Sequence, residues 1–573
     1  MIVRSRLIAI LTLTVAATAC AGPAPQGRPT DSATAPGQQV SRTLVAAIRD
    51  EPGNIALNPF TQPGQATYLI KRVFNAQLSY VDNEAAPFPY LAEALPRLNS
   101  DNWRIFPDGR METTWKLKPG LVWHDGTPLS AEDFVFSWRV YSTPELGNSQ
   151  GPPFVQLEGV AAPDDRTIVF RWKGLYPGAA TMYEHNREFP ALPRHIIEAP
   201  FQQTSADAFV NLPYWTHEYV GLGPYRLERW EPGQFIEAAA FDQHALGRPK
   251  IPRVRLAFIG DDNTVLASLL AGEIQLTADA AARLSQVPIL KEGWVPSGAG
   301  AVHLHFNQYR TVYIQFRPEF LEQRALLDRR VRAALFHAMD RQAVTDSVYG
   351  GEAPLGDFLL PPLGDLGRAA DRAAVKYPYD LRRSEQLMAE VGYARGPDGV
   401  YASPTGGRLA FEVQTQAASD NNAEIAIVAD GWKRAGFAAE QRLLSGPAAR
   451  APDLLATFPG TLINSTSASL GLINDFRSTS IPTRENRWNG SNRGGWTDAA
   501  YTGLAETFAT TLDPELRLDQ MGRIARIFSE ELPALTLFYR SVVFAHPTAL
   551  TGLMNAPPES TVPWNMHEWE LRG

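Results

Sequence analysis

A single cysteine, Cys20, stands in a chain of 573 residues, directly behind an uncharged stretch from Leu7 to Ala19. No disulfide can therefore form within the chain, and no cysteine-rich metal site or iron–sulfur cluster can be built. The fold has to be held by packed apolar surface. The supply is ample, since 44% of the residues are hydrophobic and 10% aromatic, which sets the chain apart from disordered, collagen-like and disulfide-stapled classes. At about 100–200 residues per domain, the length allows three or four domains or two large lobes. The formal charge is −8. With no basic excess to neutralise a phosphate backbone, nucleic acid is not an expected partner.

The first segment reads as an export signal. Arg4 and Arg6 precede the apolar run, which at about 13 residues is shorter than the ~20 that a spanning helix needs. Ala17-Thr18-Ala19-Cys20 resembles a lipoprotein signal site, with small residues ahead of a cysteine that receives the lipid. A plain secretory signal cleaved near Ala19 or Ala21 is the alternative. We expect residues 1–19 to be the signal peptide and 20–42, rich in Ala, Gly, Pro, Ser, Thr and Gln, to be a lipidated cysteine and flexible tether. No later segment approaches an apolar 18-mer, so the body should be soluble, on the outer face of the cytoplasmic membrane or in the periplasm.

Strand-like and helix-like segments alternate beyond residue 43. Thr43 to Ile48 is a short buried-strand pattern, and Trp115-Lys116-Leu117-Lys118 alternates apolar and basic residues ahead of a Pro119-Gly120 turn. Ser130-Ala131-Glu132-Asp133 has capping-box spacing. Val331, Ala334, Leu335, Ala338 and Met339 share one helical face, with Gly350-Gly351 as the stop of that helix. Further helices are expected over Ser384 to Val391, Glu424 to Ala435, and from Asp513-Pro514 to about Glu531. The Gly-, Pro-, Ser-, Thr- and Asn-rich region from Ser445 to Thr497 reads as a loop assembly or a ligand-facing surface.

Several blocks together resemble one family. Glu51-Pro52 with Leu57-Asn58-Pro59, the unbroken stretch from Trp115 through Trp123-His124-Asp125-Gly126-Thr127-Pro128 to Ser137, Gly223-Pro224-Tyr225 with Trp230-Glu231-Pro232-Gly233, Asp262-Asn263-Thr264 with Leu270-Ala271-Gly272-Glu273-Ile274, and Val331-Arg332-Ala333-Ala334-Leu335 with Ala338-Met339-Asp340-Arg341 are similar to family 5 extracellular solute-binding proteins of ABC importers, the oligopeptide- and dipeptide-binding group. The resemblance implies an α/β, two-lobed periplasmic-binding-protein type II fold with an additional inserted domain. Lobe one would comprise 43–85, 221–308 and 541–573, the inserted domain 86–220, and lobe two 309–540. It also implies a monomeric receptor without cofactor or turnover, which captures a small solute, a peptide as first choice, in a cleft that closes by hinge motion. The implied partners are an ABC permease with its ATPase subunits, and the membrane through the lipid anchor. An oligosaccharide, a metal chelate and, further off, a hydrolytic function are the alternatives.

Rival chemistries have little to build on. His124-Asp125 offers two metal ligands at most, and a turn explains both. His303 and His305, at i and i+2 on one strand face, could be half a metal site, although packing or a ligand hydrogen bond is the commoner use. The one Gly-x-Ser-x-Gly string, Gly147-Asn148-Ser149-Gln150-Gly151, runs into Pro152-Pro153 and not into a helix pattern, so it does not read as a nucleophile elbow, and no phosphate loop or His-Glu-x-x-His occurs.

Many peptide-binding relatives hold the ligand's α-ammonium with an aspartate in the second lobe. The matching stretch here, Asp453 to Gly460, has no acid beside Phe458-Pro459, so recognition of a free amino terminus is not expected, because a buried cation needs a counter-charge. Candidate ligand-binding residues are Gln62 and Gln65 in the loop after Asn58-Pro59, Asn307 and Tyr309 at the crossing between lobes, Thr457 and Phe458, and Trp488 and Trp496 for stacking. Arg484 and Arg487 could clamp a carboxylate, but solvated surface charge is the better explanation of both.

Overall fold

A computed structural model describes residues 43–56, 67–146, 153–184, 187–555 and 562–572. Cys20, Gln62, Gln65 and the Leu57-Asn58-Pro59 block lie outside the described residues. Three larger sheets organise the chain. The first runs in the order Tyr225–Glu231, Phe235–Ala240, Arg253–Phe258, Thr43–Ile48, Leu276–Thr277. Thr43–Ile48 is the buried strand expected from its apolar run, and it pairs in parallel with both neighbours. The second sheet runs Ala438–Leu444, Ala410–Gln416, Thr461–Ser467, Gly300–Ile314, Ala534–Pro547. The third is antiparallel and four-stranded, built from Trp103–Ile105, Met111–Lys116, Thr167–Trp172 and Leu157–Asp164.

Two long antiparallel strands, Gly300–Ile314 and Ala534–Pro547, tie the first two sheets together. Their outer halves abut the edge of the first sheet: the Thr277 hydroxyl donates to the Val543 carbonyl at 3.1 Å and accepts from the Ala545 N–H at 2.9 Å. Their inner halves lie inside the second sheet, where Gln308 to Ile314 pairs with Thr461 to Ser467. The second sheet carries a buried ion pair at its centre. Arg310 Nε donates to Glu424 Oε2 at 2.6 Å, and Tyr349 donates its hydroxyl to the other carboxylate oxygen. Arg310 also reaches the Thr415 hydroxyl. Each polar group is satisfied, which is the condition under which a buried pair is tolerated.

The HDGTP turn shows how local sequence fixes tertiary geometry. Gly126 takes a φ of +88° that suits glycine. The turn presents His124, which is buried against the entry to strand Tyr225–Glu231: its Nδ1 accepts from the Gly221 N–H and its Nε2–H donates to the Gly223 carbonyl. Asp125 binds His195 at 2.8 Å. Both residues of the pair are thus engaged in holding the turn. Behind it, Asp133 accepts from the Ser130 N–H at 2.9 Å, while the Ser130 hydroxyl donates to the same carboxylate, so the capping box closes through the acid and helix Ala131–Tyr141 follows.

Elsewhere the chain departs from its sequence pattern. The apolar face beginning at Val331 belongs to helix Arg329–His337, which ends before Gly350. Asp340 interrupts it and caps a second helix, Arg341–Tyr349, by accepting from the Ala343 N–H; Gly350 in the left-handed conformation ends that one. The loop-like region Ser445 to Thr497 contains strand Thr461–Ser467 between two other strands of the second sheet. Helices Leu381–Glu390, Ser419–Ala435 and Pro514–Glu531 fall where glycine stops and Asp513-Pro514 place them.

Candidate interlobe binding site

The two long strands cross between the sheets at Phe306 to Gln308, where the register with Ser541 and Arg540 shifts by one residue. At this point Asn307 offers its carbonyl to the Ala468 N–H at 2.9 Å, just beyond the end of strand Thr461–Ser467. Ser469 follows, buried, with a hydroxyl that has no hydrogen-bond partner; the Ser541 hydroxyl, on the strand opposite Phe306, has none either. Buried hydroxyls without partners carry a desolvation cost of about 1–3 kcal/mol each, so they mark a place where a ligand or water completes the bonding.

Beside this crossing lies a cavity of about 200 Å³, with Val81, Ala85 and Thr181 on one wall and Leu360, Gly364 and Leu470 on the other. The first wall is a hairpin, Ser79–Val81 with Pro87–Pro89. Its tip is shaped by Asp82, whose Oδ1 accepts from the N–H groups of Glu84 and Ala86, and Ala85 there has a φ of +66°. The second wall is fixed by Tyr539, whose hydroxyl donates to the carbonyls of Phe358 and Leu360, and by the first turn of helix Gly364–Ala373. A Cβ on Gly364 would lie 3.1 Å from that of Ala85, and one on Gly367 would lie 2.2 Å from the Pro361 carbonyl. Gly364 therefore lets this wall approach the hairpin closely, and Gly367 lets the helix pack against the Pro361 carbonyl of the same wall.

A carboxylate that the sequence patterns do not single out stands at the C-terminal edge of the first sheet, the edge where open α/β sheets gather ligands. Asp279, just beyond strand Leu276–Thr277, is buried; Oδ2 accepts from the Leu69 N–H at 3.0 Å and Oδ1 has no partner. Burial pushes its pKa up to about 7, against the lowering effect of the Leu69 N–H and the Lys71 charge. Asp279 and Ala280 are consecutive non-glycine residues at positive φ, 46° and 62°, a strained backbone of the kind that collects at binding sites. Positive φ at two non-glycine positions leaves no trace in a sequence pattern.

The other candidates divide into two groups. Tyr309, Phe458 and Trp496 are enclosed in the core of the second sheet, and their placement corrects the expectation of ligand-facing side chains. The Tyr309 hydroxyl lies 3.5 Å from that of Tyr313, and burial raises its pKa well above the ordinary value. Trp496 packs edge-on against Tyr501. Thr457 and Trp488 come together in a wider polar recess of about 870 Å³, with Arg317, Phe320, Asp453 and Arg484 also on its walls. That recess lies toward the Thr461 end of strand Thr461–Ser467, the end remote from Asn307. Arg317 there donates to the carbonyls of Pro482 and Arg493 at 2.8 Å each. Its guanidinium is occupied by backbone. Arg484 and Arg487 are exposed.

His303 does not pair with His305 in a metal-like arrangement. It stacks on His546 of the neighbouring strand, Nε2 to Nε2 at 3.2 Å, and His546 Nδ1 donates to the Pro547 carbonyl. Among the described residues no three His, Cys, Asp or Glu side chains gather in a metal-holding group, and no helix is long and apolar enough to cross a membrane.

Comparison with known proteins places this geometry. A solved nickel-histidine complex of NikZ from Campylobacter jejuni superposes with a TM-score of 0.68 at 21% identity, covering 92% of this chain and 99% of that one. The oligopeptide-binding protein of Thermus thermophilus, solved with a pentapeptide, gives 0.68 at 22% identity, with 92% and 96% covered. These are two-lobed binding proteins, and the present chain shares their fold. In sequence, the oligopeptide-binding protein AppA of Bacillus subtilis is 24% identical over 434 residues, 74% of this chain and 72% of that protein. The model of bacterial extracellular solute-binding proteins, family 5, matches residues 93–478, well over half of the chain, and the chain belongs to that family.

Proposed function

We propose that the protein is the solute-capturing component of an ABC importer, with a peptide as its solute, and that capture occurs between the lobes at the crossing of strands Gly300–Ile314 and Ala534–Pro547. The observation that carries this reading is the coincidence, at one crossing, of partnerless buried hydroxyls on Ser469 and Ser541 with an apolar cavity walled by residues 81–87 and 360–367. Hydroxyls suit the amide groups of a peptide backbone, and the cavity suits a side chain. In this reading lobe one comprises 43–85, 221–308 and 541–573, the inserted domain 86–220, and lobe two 309–540. Support comes from the sheets: the first draws on 43–48 and 225–277, the third on 103–172, and the second on 300–547.

Gln62 and Gln65 belong to the same proposal, as polar residues that precede helix Thr67–Phe74 in the sequence. Asn307 acts through its carbonyl, holding the end of strand Thr461–Ser467 in place. Cys20 carries the lipid that tethers the receptor outside the cytoplasmic membrane, and the loaded receptor delivers its solute to a permease driven by ATPase subunits, without turnover of its own. Thermal melting of the purified receptor against peptide and sugar pools tests the assignment. Peptides should raise the melting temperature with concentration, by about 2.7 kcal/mol of stabilisation at 100 times Kd. Stabilisation by sugars alone, or steady chemical conversion of the peptide, would overturn it.

A further inference from the structure

The cavity beside the crossing has a shape and chemistry of its own. Nearly all of its walls are aliphatic: Val81, Ala85 and Pro87 face Leu360, Leu363 and Leu470. At about 200 Å³ it is somewhat larger than the roughly 150 Å³ apolar cavity known to stay dry and take up benzene. It is also discontinuous in sequence. One wall comes from the hairpin around Ala85 and from Thr181, the other from residues 360–367 and Leu470. The two walls touch through the Ala85–Gly364 approach. An occupant would therefore contact both at once, and would favour the arrangement in which they meet, because a ligand shifts an equilibrium only by its differential contacts with the two states.

We propose that this slot is a specificity subsite for one branched aliphatic side chain of the captured solute. The inference rests on the interlobe reading above and deepens it by naming a group that the solute must carry. Volume and wall chemistry select the group. A charged or amide side chain would lose its water without gaining a partner, and an alanine-sized group would leave most of the slot empty. A leucine-sized group occupies much of it and takes the benefit of apolar burial, with each methylene discriminated by about tenfold in an apolar pocket.

Two probes separate the slot from the rest of the cleft. The first is N-acetyl-leucinamide against N-acetylalaninamide, both uncharged, followed by saturation-transfer NMR on the full receptor. The second is a pair of pentapeptides differing only by Leu or Ala at one position, scanned along the peptide by calorimetric titration. Two variants obstruct the slot from opposite walls. Ala85→Leu lies at a hairpin tip, and Leu363→Trp is at a side chain that is 40% exposed, so folding does not hinge on either alone. The expected result is saturation transfer to the leucine probe and not to the alanine probe, lost in both variants. A preference of about tenfold or more for leucine at one peptide position should also disappear in both. Equal signals from the two capped amino acids, or a leucine signal untouched by both variants, would overturn the slot. Peptides that bind with no leucine preference at any position would overturn it while leaving the peptide reading intact. A receptor that binds no peptide would contradict the peptide reading, and the capped amino acids would then decide the slot alone.

Discussion

His124 donates its Nε2–H to the carbonyl of Gly223 at 3.0 Å, while its Nδ1 accepts from the Gly221 N–H at 3.2 Å. The imidazole is neutral in this arrangement, and burial holds its pKa down at about 4. A Cβ at Gly223 would lie 2.3 Å from the Phe74 carbonyl carbon and 2.5 Å from the Asn75 nitrogen, both backbone atoms that cannot step aside. Gly223→Ala should therefore destabilise the receptor by about 3 kcal/mol or more, read as a fall in the urea midpoint. A loss under about 0.5 kcal/mol would show that helix Thr67–Phe74 can shift.

The same histidine predicts a response to acid. Its folded pKa is below the unfolded value of about 6.5, so the stability it contributes is present above pH 6.5 and drains away as pH falls toward 4. The size is on the order of 3 kcal/mol. Urea melts from pH 7 to 4 should show this loss in the wild type, and His124→Gln should start less stable and lose less over the same interval. Parallel profiles for the two proteins would contradict the assignment.

Asp279 acts with the opposite sign. Its folded pKa, about 7, lies above the ordinary carboxylate value, so protonation favours the fold. Its stability term is fully present below pH 4 and is lost as pH rises through 7. Asp279→Asn keeps an oxygen for the Leu69 N–H and removes the buried charge. It should gain a few kcal/mol on the wild type at pH 8 and little at pH 4. A variant less stable than the wild type at pH 8 would show that the Lys71 charge outweighs burial.

The sequence points to the scaffold more clearly than to the site, for physical reasons. Glycine stops, Asp caps and the Trp123–Thr127 turn are local, with partners within a few residues, whereas the partners of His124 and Asp125 lie about 70 to 100 residues away. Asp340 escapes a pattern reading because a polar residue between two apolar faces looks like a solvated helix position until its side chain is seen to cap. Strand Thr461–Ser467 is hidden by its Thr, Asn and Ser content, which marks loops in general but here satisfies a strand buried between neighbours. Phe458 attracts attention by its place in the Asp453–Gly460 stretch and Trp496 as a stacking group, yet large aromatic residues dominate cores, and both pack in the core of the second sheet. The slot residues come from segments nearly 400 residues apart, from Val81 to Leu470. No spacing rule connects them.

Membrane attachment is predicted to depend on Cys20. In a lipoprotein-competent host the wild type should fractionate with membranes and Cys20→Ala should be released. Equal release of both would contradict lipidation.

The stretch from Thr457 to Pro459 brings no carboxylate toward the crossing, since Thr457 bonds the Asp453 carbonyl and Asp453 itself is exposed at the remote recess. A peptide and its N-acetylated twin should therefore bind within about threefold of each other. A loss of about tenfold on acetylation, about 1.4 kcal/mol, would show that the amine is recognised, and Asp279, with its partnerless oxygen, would be the first carboxylate to mutate.

The central claim is that this chain captures a peptide between its lobes. Native mass spectrometry of the freshly purified full-length receptor tests it most directly, because a tightly held cleft ligand survives isolation. The account predicts adduct masses that fragment into peptide sequences and that are lost on unfolding. A receptor carrying only a sugar or a metal chelate in those adducts, or one that stays free of any adduct after incubation with a peptide pool, would contradict it.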